Sequence, residues 1–192
     1  AGGNPNAGFG MAAASVTVNE DASFSFASDG FKDNNSSVVS KIKITSLPAH
    51  GTLTLSNTTV TLNQEIISSD YINLKYTPTS NYNGTDTFNW QGWSTTNSTY
   101  SADVNYNITV TGVNDAPVAT VASFTTNEDT LYSGTLSATD IDSSSFTYSI
   151  NTNASHGTVT ITNASTGAYS YTPASNYNGT DSFIFAVSDG TS

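Results

Sequence analysis

Two copies of one sequence pattern lie along this chain of 192 residues, and the internal repeat restricts the folds open to it. The tripeptide Asn-Glu-Asp occurs twice, 108 residues apart, and His-Gly-Thr occurs twice, 106 residues apart. A longer run that begins Tyr-Thr-Pro and contains Asn-Tyr-Asn-Gly-Thr-Asp also occurs twice, 95 residues apart. The fall from 106 to 95 places an 11-residue insertion in copy one, near residues 59–71, where we expect an extra strand or hairpin.

Apolar and polar residues alternate through most of both copies, as in 41–45, 52–55 and 103–110. A period of two with β-branched and aromatic residues indicates half-buried strands. Turn sequences such as Ser-Asp-Gly and Asn-Gly separate the strands, and no helical stripe exceeds two turns. Short strands at roughly 8–12-residue spacing are typical of antiparallel sandwiches. The sequence therefore predicts an all-β chain of two tandem β-sandwich domains.

The boundary between the copies falls at 112–118, where Pro117 stiffens the chain and cannot donate to a strand ladder. Copy one continues into a strand at 102–111, whereas copy two has only residues 188–192 after the equivalent point. We therefore expect the second sandwich to lack its final strand. The predicted segments are an extension at 1–14, a first sandwich at 15–112, a linker at 113–117 and a second sandwich at 118–192.

A sandwich without its last strand leaves unpaired backbone groups along an open edge, and such edges invite pairing. Two interpretations stay open. In the first, the chain is a piece of a longer repeat array. In the second, another subunit supplies the strand by donor-strand complementation, with residues 1–14 or the adjoining strand at 15–18 as the donor.

The charge of the chain excludes two classes of partner. Fifteen Asp and Glu face four Lys and no Arg, which gives a net charge of −11. Nucleic acids and anionic membrane surfaces both need basic patches, which this chain does not offer. No apolar run approaches the roughly 18 residues that a membrane helix requires. We expect neither nucleic-acid binding nor membrane insertion in this segment.

Carboxylates with few nearby cations recur at corresponding points of the two copies and in the link between them. A hard divalent cation relieves their mutual repulsion, and calcium takes about six to eight oxygen ligands from flexible loops. Asp140 and Asp142 would point to one side of an extended segment. The pattern favours calcium binding, and the alternative is that these are solvated acidic loops with turn-forming Asp residues.

Four sequence motifs are shared by the two copies: Asn-Glu-Asp, His-Gly-Thr, Tyr-Thr-Pro and Asn-Tyr-Asn-Gly-Thr-Asp-x-Phe. Copy two also contains Val-Ser-Asp-Gly, and Val-Asn-Asp-Ala-Pro-Val joins the copies. In this combination residues 15–192 resemble the cadherin-like tandem repeats of giant bacterial surface proteins and adhesins. The resemblance implies seven-stranded Ig/cadherin-like Greek-key sandwiches strung end to end, with calcium at the junctions. Carried over by position, it implies these ligands at the central junction: Glu20, Asp86, Asn114, Asp115, Asp140, Asp142 and Asp189.

Catalysis is not expected. His50 and His156 occupy the same repeat position, and a turn residue would be duplicated in this way whereas a catalytic acid–base group need not be. Paired carboxylates can hydrolyse glycosides, but Glu20 and Glu128 are repeat equivalents, and only the insertion that holds Glu65 interrupts the pattern.

Trp93 lies in a segment where copy one diverges, which we interpret as a turn, and it could stack on a sugar or cover a sheet edge.

The main interpretation is a non-catalytic extracellular module of a bacterial surface protein or filament, rigidified by calcium at the interdomain junction. Its partners would be adjacent repeats or identical subunits, on the cell surface. The alternatives are a self-assembling filament subunit that uses donor-strand complementation, and a carbohydrate-binding module that uses Trp93 to bind surface glycans.

Overall fold

A computed structural model of the chain describes residues 9–192. The chain divides into two compact units, of which unit 1 ends at Val113 and unit 2 is Asn114–Ser192. The division falls inside the predicted linker. Short strands make up both units, so the predicted all-β class with tandem β-sandwich domains is confirmed.

Unit 1 is a sandwich of two sheets around an aromatic core. Its strands are β1 (Ala14–Asn19), β2 (Phe24–Ser25), β3 (Lys41–Ser46), β4 (Gly51–Leu55), β5 (Thr58–Thr59), β6 (Glu65–Ile67), β7 (Leu74–Pro78), β8 (Gly84–Ser94), β9 (Thr99–Tyr100) and β10 (Val104–Thr111). The larger sheet has the order β1-β10-β8-β3-β6 with β9 paired to β8, and the smaller sheet has the order β2-β7-β4-β5.

Alternation along the strands builds this core as the sequence predicts. In β8 every second residue from Asp86 to Ser94 is buried, because successive side chains of a strand point to opposite faces. Phe88 and Trp90 are 0% exposed. The ring of Phe31 packs edge-on against Trp90 with centroids 5.0 Å apart, a geometry that aromatic pairs favour.

The insertion in copy one forms β6 and a 3-10 helix at Ser68–Asn73. β6 extends the larger sheet by pairing with β3, and Ile66 and Tyr71 are buried at 1% and 0% exposure. The extra strand expected near residues 59–71 is therefore present. Of the helices in residues 9–192, none has the length and apolar character to span a lipid bilayer.

The first strand of unit 1 is already paired within its own sheet. β1 runs parallel to β10, with Val16 opposite Ile108. The hypothesis that residues 15–18 are donated to another subunit is therefore wrong, because tertiary pairing uses this strand locally. Residues 1–8 of the other proposed donor, 1–14, lie outside the described residues, and Met11 in its remainder bridges to Asp33 and is buried in the unit 1 core.

Unit 2 repeats the same plan with shorter sheets. Its strands are β11 (Val118–Ala119), β12 (Tyr132–Thr135), β13 (Ala138–Thr139), β14 (Thr147–Thr152), β15 (Gly157–Asn163), β16 (Ala168–Pro173) and β17 (Ile184–Ser188). The sheets are β12-β16-β15, β14-β17 and β11-β13. β14 pairs with β17 in the register in which β3 pairs with β8, since Tyr148 faces Val187 as Ile42 faces Gly92.

The core of unit 2 is smaller than that of unit 1. Its buried residues, at 4–6% exposure, are Leu136, Tyr148, Val159, Tyr169 and Tyr171. Among the described residues of unit 2, no strand occupies the place that β10 has in unit 1.

Candidate functional site

Asp86, one of the predicted metal ligands, lies buried near the start of β8 at the centre of a hydrogen-bond network. Its Oδ1 accepts the backbone N–H groups of Ala49 at 3.0 Å and Thr87 at 2.9 Å. Its Oδ2 accepts the N–H of His50 at 3.0 Å and the hydroxyl of Tyr76 at 2.8 Å. Both carboxylate oxygens are therefore used to hold the loop before β4 against β7 and β8, through charge-assisted bonds.

Asp181 repeats this network in unit 2. Its carboxylate accepts the backbone N–H groups of Ser155 and His156, each at 3.0 Å, and of Ser182 at 2.9 Å. It also accepts the Tyr171 hydroxyl at 2.8 Å. Desolvation raises the pKa of Asp181, but these hydrogen bonds outweigh it and keep the pKa below its usual value. Asp181 thus stays ionised and serves the fold in the way that Asp86 does.

The two tyrosines in these networks remain protonated donors. Burial, and then the hydrogen bond to Asp181, raises the pKa of Tyr171 to about 12. The same two causes raise the pKa of Tyr76, bonded to Asp86, well above its usual value. Each Tyr precedes its Asp by ten residues in both copies, a signal in the sequence that could have identified the pairs.

Both histidines have structural roles, as predicted. The His50 ring stacks on Tyr82 with centroids 4.0 Å apart, and the His156 ring stacks on Tyr177 at 4.2 Å. The backbone N–H of each His binds the Asp of its own unit. The repeated His-Gly-Thr and Asn-Tyr-Asn-Gly-Thr-Asp motifs are therefore the sequence signature of one loop clamp, present once in each unit.

Glu20, another predicted ligand, is buried in unit 1 at 3% exposure. Its Oε1 accepts the N–H of Val113 at 2.6 Å, and its own N–H donates to the Thr111 carbonyl at 3.0 Å. Glu20 therefore ties the end of β1 to the segment that leaves unit 1. This network is separate from the one around Asp86.

The other five predicted ligands lie together in unit 2, and we call them the acidic cluster: Asn114, Asp115, Asp140, Asp142 and Asp189. The Asn114 Nδ2 donates to Asp189 Oδ2 at 2.6 Å. The Asp115 N–H donates to Asp142 Oδ2 at 2.7 Å, and the Asp142 N–H donates to Asp140 Oδ1 at 2.7 Å. These contacts link the start of unit 2 to the loop after β13 and to the segment after β17.

Asp140 forms a turn rather than the extended segment that its spacing from Asp142 predicts. Its Oδ1 accepts the N–H groups of Asp142 and Ser143, at 2.7 Å and 2.9 Å, so a local side-chain bond bends the backbone. Its Oδ2 is buried and has no hydrogen-bond partner. A buried oxygen without a partner is unfavourable by about 1–3 kcal/mol, so a ligand at this atom would be stabilising.

Asp189 is held by donors on both oxygens. The Asn114 amide first, and then the backbone N–H groups of Ser192 and Thr191, lower the pKa of Asp189 far below its usual value. The carboxylate therefore remains charged. Within residues 9–192, however, no group of three or more His, Asp or Glu side chains is arranged so that it could hold a metal ion.

Trp93 lies in β8, not in the turn that the sequence suggests, because residues 93–94 pair with β9 to continue the sheet. The Lys41 Nζ lies 4.5 Å from the centroid of the Trp93 ring, a cation–π contact, and the Tyr100 ring packs edge-on at 4.9 Å. The Glu65 carboxylate forms a salt bridge with the Lys41 Nζ at 3.1 Å and accepts a hydrogen bond from the Tyr100 hydroxyl. These partners were missed from the sequence, although alternation placed Lys41 on the outer face.

A family model of the bacterial Ig domain matches residues 114–192. Unit 2 is similar to this family over its whole length. Its match covers the segment that carries the acidic cluster and the second loop clamp. The sequence comparison with curated proteins found no match.

The solved structures that match this chain come from several kinds of protein. Human mucin-like protocadherin EC1-2 is 14% identical with a TM-score of 0.47, and covers 96% of this chain and 89% of its own. Human CDH23 EC21-23 is 14% identical with a TM-score of 0.48, and the match covers 95% of this chain and 65% of the CDH23 chain. An endo-fucoidan hydrolase of glycoside hydrolase family 107 is 20% identical with a TM-score of 0.34, and this chain covers 28% of its length.

Proposed function

We propose that this chain is a non-catalytic structural or adhesion module of a bacterial extracellular protein. The observation that carries the proposal is the loop clamp, which uses the repeated His, Tyr and Asp side chains in both units. Catalysis requires acid–base or nucleophilic groups directed at a substrate site, whereas these groups are bonded to the fold. Neighbouring repeats or identical subunits are the proposed partners, and the cell surface is the proposed location.

The finer part of the proposal is calcium binding by the acidic cluster. The cluster offers only oxygen donors, which are the ligands calcium takes in proteins, and it lies in loops, which calcium sites tolerate. The buried Asp140 Oδ2 without a partner supports a cation there. Since the cluster does not form a three-carboxylate cage, binding would replace some of the hydrogen bonds these carboxylates now make.

Bound calcium would supply positive charge that neutralises the carboxylates. The chain's own residues would then fix the entry to unit 2, because Asn114 and Asp115 follow Val113 directly and bond to Asp189 and Asp142. The proposed consequence is a stiffer connection between the repeats. Glu20 and Asp86 are left out of this ligand set, because they belong to two hydrogen-bond networks that contain no residue of the acidic cluster.

Titration calorimetry of the full chain with calcium chloride tests the calcium site. The informative variant is Asp140→Asn, since an amide oxygen can still accept the two N–H groups of the turn while the charge is lost. A matched control is Asp33→Asn in unit 1, where Asp33 Oδ1 accepts two backbone N–H groups in the same way, at 2.9 Å each.

We expect saturable calcium binding by the unaltered chain and by Asp33→Asn, and at least tenfold weaker binding by Asp140→Asn. Absence of calcium binding by the unaltered chain would refute the calcium site. Equal affinities of the two variants would move the site away from Asp140. Neither result would bear on the structural role of the two loop clamps.

A further inference from the structure

Strand β10 fills a slot in unit 1 between two other strands. It runs parallel to β1 and antiparallel to β8. Alternate residues of β10 face the core, and Tyr106, Ile108 and Val110 are at most 5% exposed. The slot therefore has two walls and selects a strand with apolar residues at every second position.

Unit 2 contains both walls of the same slot. Residues 122–127, Ala-Ser-Phe-Thr-Thr-Asn, repeat the β1 sequence Ala-Ser-Val-Thr-Val-Asn at an offset of 108 residues. β17 corresponds to β8 at an offset of 95 residues, and it pairs on one side with β14. Residues 122–127 belong to no strand, and among the described residues nothing pairs with the other side of β17.

A groove of about 680 Å³ lies between these walls, inside unit 2. Its lining contains the repeat counterparts of residues that pair with the inward-facing side of β10. On the first wall these are Ala122, Phe124 and Thr126, and on the second they are Asp181, Phe183 and Phe185. The groove is thus the slot of β10, reproduced in unit 2 residue by residue.

The walls of the groove expose apolar surface that unit 1 buries. Phe88 and Trp90 are 0% exposed, whereas their counterparts Phe183 and Phe185 are only half-buried. Val121, beside the first wall, is 95% exposed. Exposed apolar surface along an unpaired strand edge is where peptide strands add to sheets.

We propose that the unit 2 groove binds an extended protein strand with the chemistry of β10, antiparallel to β17 and parallel to residues 122–127. In this register a Tyr at the position of Tyr106 lies opposite Phe183, and an Ile at the position of Ile108 lies opposite Phe124. Backbone hydrogen bonds to both walls give affinity, and alternate apolar side chains give specificity. The proposal goes beyond the proposed function and does not depend on calcium.

Fluorescence anisotropy with the full chain and a labelled synthetic peptide of residues 102–113 tests this proposal. Two variant peptides add the same charge at adjacent positions: Ile108→Glu on the inward face and Asn107→Glu on the outward face. We expect saturable one-to-one binding of the parent peptide. The Asn107→Glu peptide should bind within about threefold of it, and the Ile108→Glu peptide at least tenfold more weakly.

Variants of the chain locate the binding to the groove without removing core side chains. Ala122 is exposed and lines the groove, so Ala122→Trp should fill it and abolish peptide binding. Ala186→Trp makes the same substitution at an exposed residue of β17 that does not line the groove, and should leave binding within threefold.

Amide hydrogen exchange separates strand addition from filling of the groove by a small apolar molecule, for which its volume is also suitable. Strand addition should slow exchange in both walls, 122–127 and β17, when the parent peptide is bound. No saturable binding, equal weakening by the two Glu peptides, or unchanged exchange in the walls would each overturn the proposal.

Discussion

The Tyr76 hydroxyl donates to the buried carboxylate of Asp86 at 2.8 Å, and this bond joins β7 to β8 in the core of unit 1. Three backbone N–H groups complete the carboxylate's partners. Because the acceptor is charged and buried, each of these bonds contributes more than a typical neutral bond at the surface.

Tyr76→Phe should therefore lower the free energy of unfolding of unit 1 by about 1.5–3 kcal/mol, since the carboxylate loses its side-chain donor. Tyr82→Phe is the matched control, because the Tyr82 hydroxyl donates to a neutral carbonyl, that of Thr85, near the surface. We expect the control to lower the free energy of unfolding by about 0.5–1.5 kcal/mol.

Denaturant unfolding followed by tryptophan fluorescence measures both variants, and it reports on unit 1 because Trp90 and Trp93 both lie there. If the two variants lose the same free energy of unfolding, the hydrogen bond from Tyr76 to Asp86 stabilises unit 1 no more than an ordinary bond near the surface.

Single carboxylates were the hardest residues to assign from the sequence. Asp86 and Asp140 look alike there, as acids near turns in a repeat. The structure separates them by their donors: Asp86 has four, while Asp140 uses one oxygen in a turn and keeps the other buried without a partner. Donor arrangement depends on tertiary contacts, which periodicity and spacing do not encode. The calcium role of the acidic cluster therefore stays a prediction.

At the scale of strands and turns, the glycine of each His-Gly-Thr motif makes room for the clamp. A Cβ on Gly51 would lie 2.3 Å from the ring of Tyr76, and one on Gly157 would lie 2.4 Å from the ring of Tyr171. The close approach lets β4 pack over the tyrosine that holds the Asp. The glycine is thus required by contact distance rather than by backbone conformation.

Gly51→Ala should destabilise unit 1 by about 1–3 kcal/mol, because a buried ring must shift to admit the methyl group. Gly112→Ala is the control, since its Cβ would meet its nearest heavy atom at 3.6 Å, an ordinary contact. For Gly112→Ala we expect the free energy of unfolding to change by no more than about 0.5 kcal/mol. The same tryptophan-detected unfolding compares them, and a loss for Gly112→Ala as large as that for Gly51→Ala would contradict the packing argument.

Alternation predicted the strands well because one face of each sheet is buried, which fixes the periodicity. Strand pairing was harder to predict from the sequence, since the parallel pairing of β1 with β10 joins residues about 90 positions apart. The same limit explains Trp93: its strand continues through pairing with β9, and no local turn signal reveals that. The extra strand β6 was predictable because an insertion changed the repeat offset.

At the scale of the whole chain, the two units share one sequence pattern but differ in how completely their apolar residues are buried. Unit 1 buries its aromatic residues under β10, and unit 2 leaves the corresponding groove lined by half-buried rings. Unit 2 also holds the acidic cluster. We therefore expect unit 2 to be the less stable unit, and the one whose stability responds to a ligand.

Scanning calorimetry of the full chain in calcium and in chelator tests whether the acidic cluster binds calcium and stabilises unit 2. Unit 1 unfolding is identified in parallel by tryptophan fluorescence, and the other transition belongs to unit 2. A calcium concentration about 100 times the dissociation constant adds about 2.7 kcal/mol, enough to raise the melting temperature of a small domain by the order of 10 °C. We predict this rise in melting temperature for the unit 2 transition alone, and we predict that Asp140→Asn loses it. Identical melting temperatures of unit 2 in calcium and in chelator would refute calcium binding by the acidic cluster.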